Sequence, residues 1–307
     1  MTLTKRHFLM TGAAALASTA LPARLWSQTT LTMGGMEITT LSDGHLSLPP
    51  EFIFGPMDQD ALAPVLADYG VDRSAPLTPP CNITLLRHED RLILFDTGSG
   101  FSFQNTAGQL IDTLDAAGIA PDDITHVLFT HGHPDHLWGV LDDFDEATFF
   151  NAEHVMGETE FNYWTDPATP TAIGEARASF AAGAERRLSM LDGQITRISS
   201  GVEVLPGVTS LLTPGHTPGH MSFLLSDGDQ AAFVLGDVAT NAHVSFARPA
   251  WITGSDQDQE QGAHTRASVL DQVTSDEMTL IGFHLPDGGI GHVTRQGEGY
   301  EFTPLAG

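Results

Sequence analysis

Apolar residues along the chain fall into short runs that stop at turn residues, alternating with Ala-rich stretches of helical spacing. Met36–Ser42 and Ile83–Leu86 read as strands, and Arg91–Phe95 reads as a strand that ends abruptly at Asp96-Thr97-Gly98. Gln109–Ala117 sets Leu110, Ile111 and Leu114 on one helix face, and His126–Thr130 is a buried strand running straight into His131. Residues 152–192, rich in Ala, Glu and Arg, predict helix with an interruption around Pro167–Pro170. The second half repeats the pattern. Val202–Leu205, Val208–Leu212, Met221–Leu225, Ala231–Leu235 and Met278–Phe283 predict strands, and Thr265–Val273 predicts a helix between them. Two similar halves of this kind predict an α/β fold with two sheets packed face to face and helices outside.

Composition narrows the picture. A chain of 307 residues with 41% hydrophobic residues can bury a sizeable core, and no apolar stretch reaches the 18 residues of a spanning helix. One cysteine, Cys81, excludes an internal disulfide and every Cys-rich metal site; between Pro80 and a strand it reads as a small buried hydrophobe. No fixed-period repeat is visible.

Asp and Glu number 39 against 13 Lys and Arg, a formal charge of −26. Residues 1–28 hold three of the cations (Lys5, Arg6, Arg24) and no acid, and Lys5 is the only lysine. A chain starting after residue 28 therefore carries ten cations against 39 acids. Such a surface repels phosphate backbones, so nucleic acid is excluded as a partner and bulky polyanionic substrates are disfavoured. The first 28 residues read as an export signal: Thr4-Lys5-Arg6-His7-Phe8-Leu9-Met10 precedes a mild apolar run and resembles a twin-arginine signal with Lys for the first Arg. Residues 29–307 then form the functional domain of a periplasmic or secreted protein.

The stretch His131-Gly132-His133-Pro134-Asp135-His136 puts four ligand-type side chains on one strand-to-loop turn. Residues two apart on extended chain point the same way, so His131 and His133 can share one ion, while Asp135 and His136 face a second. The remaining donors lie where other apolar runs stop: His216 after Val208–Leu212, Asp237 after Ala231–Leu235, His284 after Met278–Phe283. His131, His133 and His216 would hold one ion, Asp135, His136 and His284 another, with Asp237 bridging. Imidazole and carboxylate without thiolate suit two divalent ions, zinc first, with Mn, Fe or Co also accommodated.

With these motifs in order, H-x-H-x-D-H followed by His, Asp and His, the chain resembles a metallo-β-lactamase-fold hydrolase. Leu41-Ser42-Asp43-Gly44, Phe95-Asp96-Thr97-Gly98, Thr213-Pro214-Gly215-His216-Thr217-Pro218-Gly219-His220, Gly289-Ile290-Gly291-His292 and Gly297-Glu298-Gly299-Tyr300 resemble the methyl parathion hydrolase and lactonase branch. The resemblance runs from residue 34 to 304. It implies a four-layer αββα sandwich with the two-metal site at one edge between the sheets, Asp96 supporting the ligand loop, and a homodimer as a common assembly. His220 and His292, near ligands in sequence, are expected to brace them.

Two such ions generate a hydroxide at neutral pH and stabilise an oxyanion, so the expected reaction is hydrolysis, with Asp135 and Asp237 as the catalytic carboxylates and Asp135 carrying the proton to the leaving group. No Gly-x-Ser-x-Gly elbow is present. Asp237 and the missing lysines argue against lactam cleavage, and the scarcity of cations argues against glutathione thioesters. A small neutral ester remains: a lactone, including acyl-homoserine lactones, an aryl ester, or a phosphotriester. Phe101, Phe103, Trp138, Phe161, Tyr163, Trp164, Phe246 and Trp251 are the candidate pocket aromatics, with Trp164 and Phe246 foremost. The rivals are a dedicated organophosphate phosphotriesterase and, in another class, a non-catalytic metal-binding sensor that keeps the fold. His45, His88, His126, His154, His243 and His264 belong to no motif and read as surface or core residues.

Overall fold

The computed structural model describes residues 29–305, so the export signal expected over residues 1–28 lies outside them. Seven strands, β1 (Thr29–Met33), β2 (Met36–His45), β3 (Pro80–His88), β4 (Arg91–Phe95), β5 (His126–Leu128), β6 (Glu153–Gly157) and β7 (Ile195–Ile198), form one sheet in sequence order. The other sheet takes β8 (Glu203–Leu205), β9 (Val208–Leu212), β10 (Met221–Asp227), β11 (Gln230–Val234), β12 (Thr279–Ile281), β13 (Ile290–Gln296) and β14 (Gly299–Pro304), also in order. The helices are α1 (Pro50–Phe54), α2 (Gln59–Asp68), α3 (Leu110–Ala116), α4 (Pro134–Leu137), α5 (Glu158–Thr165), α6 (Thr169–Ala172), α7 (Ala178–Met190), α8 (Val244–Ala247) and α9 (Gln259–Ser275).

The layers follow from which faces are apolar. Ile38, Leu86, Ile93, Phe95 and Leu128 of the first sheet meet Val208, Phe223, Leu225, Val234 and Ile281 of the second in one buried cluster, which joins the sheets face to face. The outer face of the first sheet packs on Leu110 and Leu114 of α3 and Ala181, Ala184 and Leu188 of α7. The outer face of the second packs on Val269, Leu270 and Val273 of α9. The four-layer αββα sandwich is therefore the observed architecture. No helix among the described residues is long and apolar enough to cross a membrane.

Two parallel steps place the chemistry. β4 pairs parallel with β5, and β11 with β12, so the residues after each strand emerge at the same edge of their sheet. The chain leaves β5 at Phe129, whose N–H still donates to Val155, and Met221 of the second sheet donates to the Thr130 carbonyl. That hydrogen bond sets the ligand loop of one sheet against the start of β10 in the other.

The helix expected over residues 152–192 begins as strand: Glu153–Gly157 pairs parallel with β5, because His154, Val155 and Met156 are buried on a sheet that only the third dimension supplies. The break around Pro167–Pro170 is present between α5 and α6. α1 and α2 were not signalled by any strong periodicity; Asp58 caps α2 by accepting from the N–H groups of Asp60 and Ala61.

Candidate metal centre

All seven candidate ligands are buried at one edge of the sandwich. His131 Nε2 lies 3.0 Å from His133 Nδ1, which lies 2.9 Å from His216 Nε2. Beside this triad, His284 Nε2 is 3.3 Å from both Asp135 Oδ2 and Asp237 Oδ2, and His136 Nε2 is 3.5 Å from Asp135 Oδ2 and 3.2 Å from Asp237 Oδ1. Asp237 Oδ2 also stands 3.3 Å from His216 Nε2, so this one carboxylate touches both groups.

The donor atoms converge on common points rather than on each other. Asp135 Oδ2, His136 Nε2 and Asp237 Oδ1 are buried without a hydrogen-bond partner despite these short separations. Unpaired buried acceptors are costly, and a shared cation satisfies them together. A tetrahedral zinc ion with Zn–N near about 2.0–2.1 Å sets its ligands roughly 3.3 Å apart, close to the spacings observed. The residues fit two divalent ions: His131, His133 and His216 for one, Asp135, His136 and His284 for the other, with Asp237 between.

The local charge field favours cations. Burial works against charge on His136, but Asp237, Asp135 and Asp96 outweigh it and raise its imidazole to about 10. His284 is likewise lifted well above the ordinary value, against its burial, by Asp237 and Asp135. His131 and His133 go the other way: burial first, then neighbouring imidazoles, holds both well below the ordinary value. Neutral rings with free lone pairs are what a metal requires.

Four of the ligands are braced from behind. Asp96 ends β4 in the left-handed region at φ 69°, and its Oδ2 accepts from His136 Nδ1 and Thr130 Oγ1, both at 2.7 Å. His216 Nδ1 faces Asp256 Oδ1 at 3.3 Å, and Asp256 is held by the fully buried Arg266 at 3.2 Å. His284 Nδ1 donates to the Pro80 carbonyl at 2.7 Å. His220 Nε2 accepts from the Asp237 N–H at 2.9 Å, behind the bridging carboxylate. His292 does not share that place: it is exposed on β13, paired with Thr303.

Sequence reasoning missed Asp256, Arg266 and Glu160, since lone charged residues in helical or loop segments carry no ligand spacing. Cys81, expected as a small buried hydrophobe, is fully buried, and its thiol sits with Asp135 and His284 and is pushed by burial to about 12.

Above the ligands opens a cavity of about 280 Å³ whose floor includes His133, Asp135, His216, Asp237 and His284. Leu46, Leu48, Phe52, Ile53 and Leu77 make its apolar wall, and Thr240, Asn241, His243 and Ser255 supply polar groups. Among the described residues, no lysine or arginine lines it. Of the eight aromatics expected at the pocket, Phe103 lines the cavity. The others go elsewhere. Trp138 packs on Phe103 and under Arg187, and Trp164 is buried with its indole N–H on Glu160. Phe246 packs on Phe302 behind the second sheet, Trp251 joins the cluster of α1 and α2, and Phe101 is 62% exposed. Tyr163 donates to Gln257, itself 3.4 Å from His133.

A sandwich of two seven-stranded sheets with this histidine and aspartate cluster at its edge defines a class, and the sequence agrees: the model of the metallo-β-lactamase superfamily matches residues 78–284, and the chain belongs to that superfamily. Among curated relatives, an N-acyl homoserine lactonase of Bacillus sp is 26% identical over 239 residues, covering 72% of this chain and 84% of the relative. AidC, a dizinc quorum-quenching lactonase solved in complex with a product, superposes with a TM-score of 0.85 at 24% identity, covering 92% of this chain and 98% of its own, a likeness of fold. The hydrolase AbOPH, of the β-lactamase superfamily, superposes equally well at 25% identity, covering 92% and 99%.

Proposed function

We propose that this chain is a dinuclear metal-dependent hydrolase that opens neutral esters, with lactones carrying an apolar acyl arm as its principal substrates. The observation that carries the reading is the convergence of seven ligands, five of them on the floor of an apolar cavity that no cationic side chain among the described residues lines. The Bacillus relatives named as N-acyl homoserine lactonases support the same class.

When bound, two zinc-type ions supply Lewis acidity and a water activated near neutral pH. The protein's own groups do the rest. Leu46, Leu48, Phe52, Ile53 and Leu77 take the acyl arm and exclude water from it. Thr240, Asn241 and Ser255 offer hydrogen bonds that orient the polar end. Asp135 lines the cavity and is held ionised: burial opposes its charge, but His136 and His284 lower its carboxyl below the ordinary value. It can therefore accept a proton and pass it to the departing alkoxide.

Purified protein assayed for metal and for turnover of a lactone panel, before and after chelation, tests this reading. About two ions per chain and chelator-sensitive lactone opening are expected. Paraoxon-type triesters and aryl esters belong in the same panel; triester turnover above every lactone would replace the first substrate class with the second. Metal binding without turnover of any ester would favour the sensor.

We propose in addition that the chain is exported, on the strength of Lys5-Arg6 and the apolar run behind it. Fractionation of the native host tests that, and residence in the cytoplasm would refute it.

A further inference from the structure

Glu160 of α5 is completely buried and lies outside the ligand set. A carboxylate at full burial is expensive unless its oxygens are saturated with donors, and here each oxygen receives two. Oε1 accepts from the Gly132 N–H at 2.9 Å and the Trp164 indole N–H at 2.6 Å. Oε2 accepts from the Thr217 hydroxyl at 2.8 Å and the Gly219 N–H at 3.0 Å.

The two sides of this carboxylate belong to different ligand loops. Gly132 stands between His131 and His133, after the first sheet's β5. Thr217 and Gly219 follow His216, after the second sheet's β9. Both glycines are required by the approach: a Cβ at position 132 would collide with the Trp164 indole, and one at 219 with the backbone of Glu160. Trp164, fixed by its bond to Glu160, also stands edge-on to His133, with ring centroids 5.6 Å apart.

We infer that Glu160 is a positioning residue that sets the separation of His131 and His133 from His216, and so tunes the affinity of the three-histidine ion site selectively over the other. Asp135, His136 and His284 make no contact with it; their braces are Asp96 and the Pro80 carbonyl. The inference rests on the dinuclear reading proposed above, but its readout is metal retention rather than turnover.

The conservative variant is Glu160→Gln. Its amide can still accept from Gly132 and Trp164, but its NH₂ then faces the Gly219 N–H, donor against donor. The expected result, in chelator competition on protein loaded with two ions, is that one ion per chain leaves about 10-fold or more easily than in wild type, with the other unchanged. With Co²⁺ loaded in place of zinc, the absorption bands of one ion should shift or vanish while those of the other persist. Thr217→Val removes one of the four donors with little change of shape, and Trp164→Phe removes another while leaving a cavity beside it. They should weaken the same ion by a smaller factor, and they decide the matter if Glu160→Gln does not fold.

Retention of both ions in folded Glu160→Gln, within about twofold of wild type, would overturn the assignment. Equal weakening of both would overturn it too, by showing a general loss of structure. A wild-type chain that binds no ion would overturn the dinuclear reading and this inference together, whereas two bound ions with no esterase activity would leave the role of Glu160 standing.

Discussion

The Asp96 carboxylate and the His136 imidazole meet at 2.7 Å, oxygen to Nδ1, with both side chains buried. The contact fixes the proton on Nδ1 and turns the lone pair of Nε2 toward the metal centre. Asp96→Asn keeps the shape and tolerates the left-handed backbone, but replaces an acceptor with an amide that cannot serve His136 and Thr130 alike. Metal affinity should fall roughly 10–100-fold, measured by chelator competition, with circular dichroism unchanged. An affinity equal to wild type would mean that the ring is held by packing on Phe283 instead.

Asp135→Asn should lower kcat by about 10²–10⁴-fold if Asp135 carries the proton. Since the same side chain is placed to hold an ion, metal content must be measured beside turnover. Full metal with kcat within about threefold of wild type would remove Asp135 from proton transfer.

Ile53, on the cavity wall contributed by α1, sets the room available to an acyl arm. Ile53→Trp should leave short-chain lactones nearly unaffected and penalise long-chain ones. Exclusion of two to three methylenes at about 0.8 kcal/mol each corresponds to roughly 10–100-fold in kcat/KM. Uniform loss across chain lengths would place the acyl group elsewhere.

His154 stacks on Phe129 and its Nε2 has no partner. Burial lowers it from 6.5 to about 4, so the folded state refuses a proton that the unfolded state accepts. Its contribution is intact above pH 6.5 and is lost as pH falls toward 4. Relative to His154→Gln, the wild type should lose roughly 2–3 kcal/mol of stability between pH 7.5 and 4.5, read by denaturant unfolding at each pH. A difference independent of pH would show that His154 takes up its proton equally in the folded and unfolded states.

The ligand set was legible because its determinants are local. His131, His133, Asp135 and His136 share one turn, and His216, Asp237 and His284 each follow an apolar run that the period of two or the burial of a strand makes visible. The cavity wall was not legible. An indole such as Trp164 reads as a substrate surface or as core with equal ease, and only the position of Glu160 decides which. Phe246 faces Phe302 across 56 residues of chain, a pairing no local pattern records. The true wall, Leu46 to Leu77, comes from a segment with no chemistry of its own. β6 failed for a related reason: five residues set among Ala and Glu carry too little periodicity to outweigh their helical neighbours, and its pairing with β5 is what makes it a strand.

Each ion site draws on both sheets: His131 and His133 with His216, and Asp135 and His136 with His284. During synthesis the first four donors emerge early, yet neither coordination sphere can close until the second half has docked, bringing His216 and Asp237 to one ion and His284 to the other. Loading is thereby tied to docking of the second half, and a product truncated before β12 would lack His284 and leave the second site open. Loss of metal would be felt first at the seam between the halves, where each ion ties ligand loops of one sheet to those of the other.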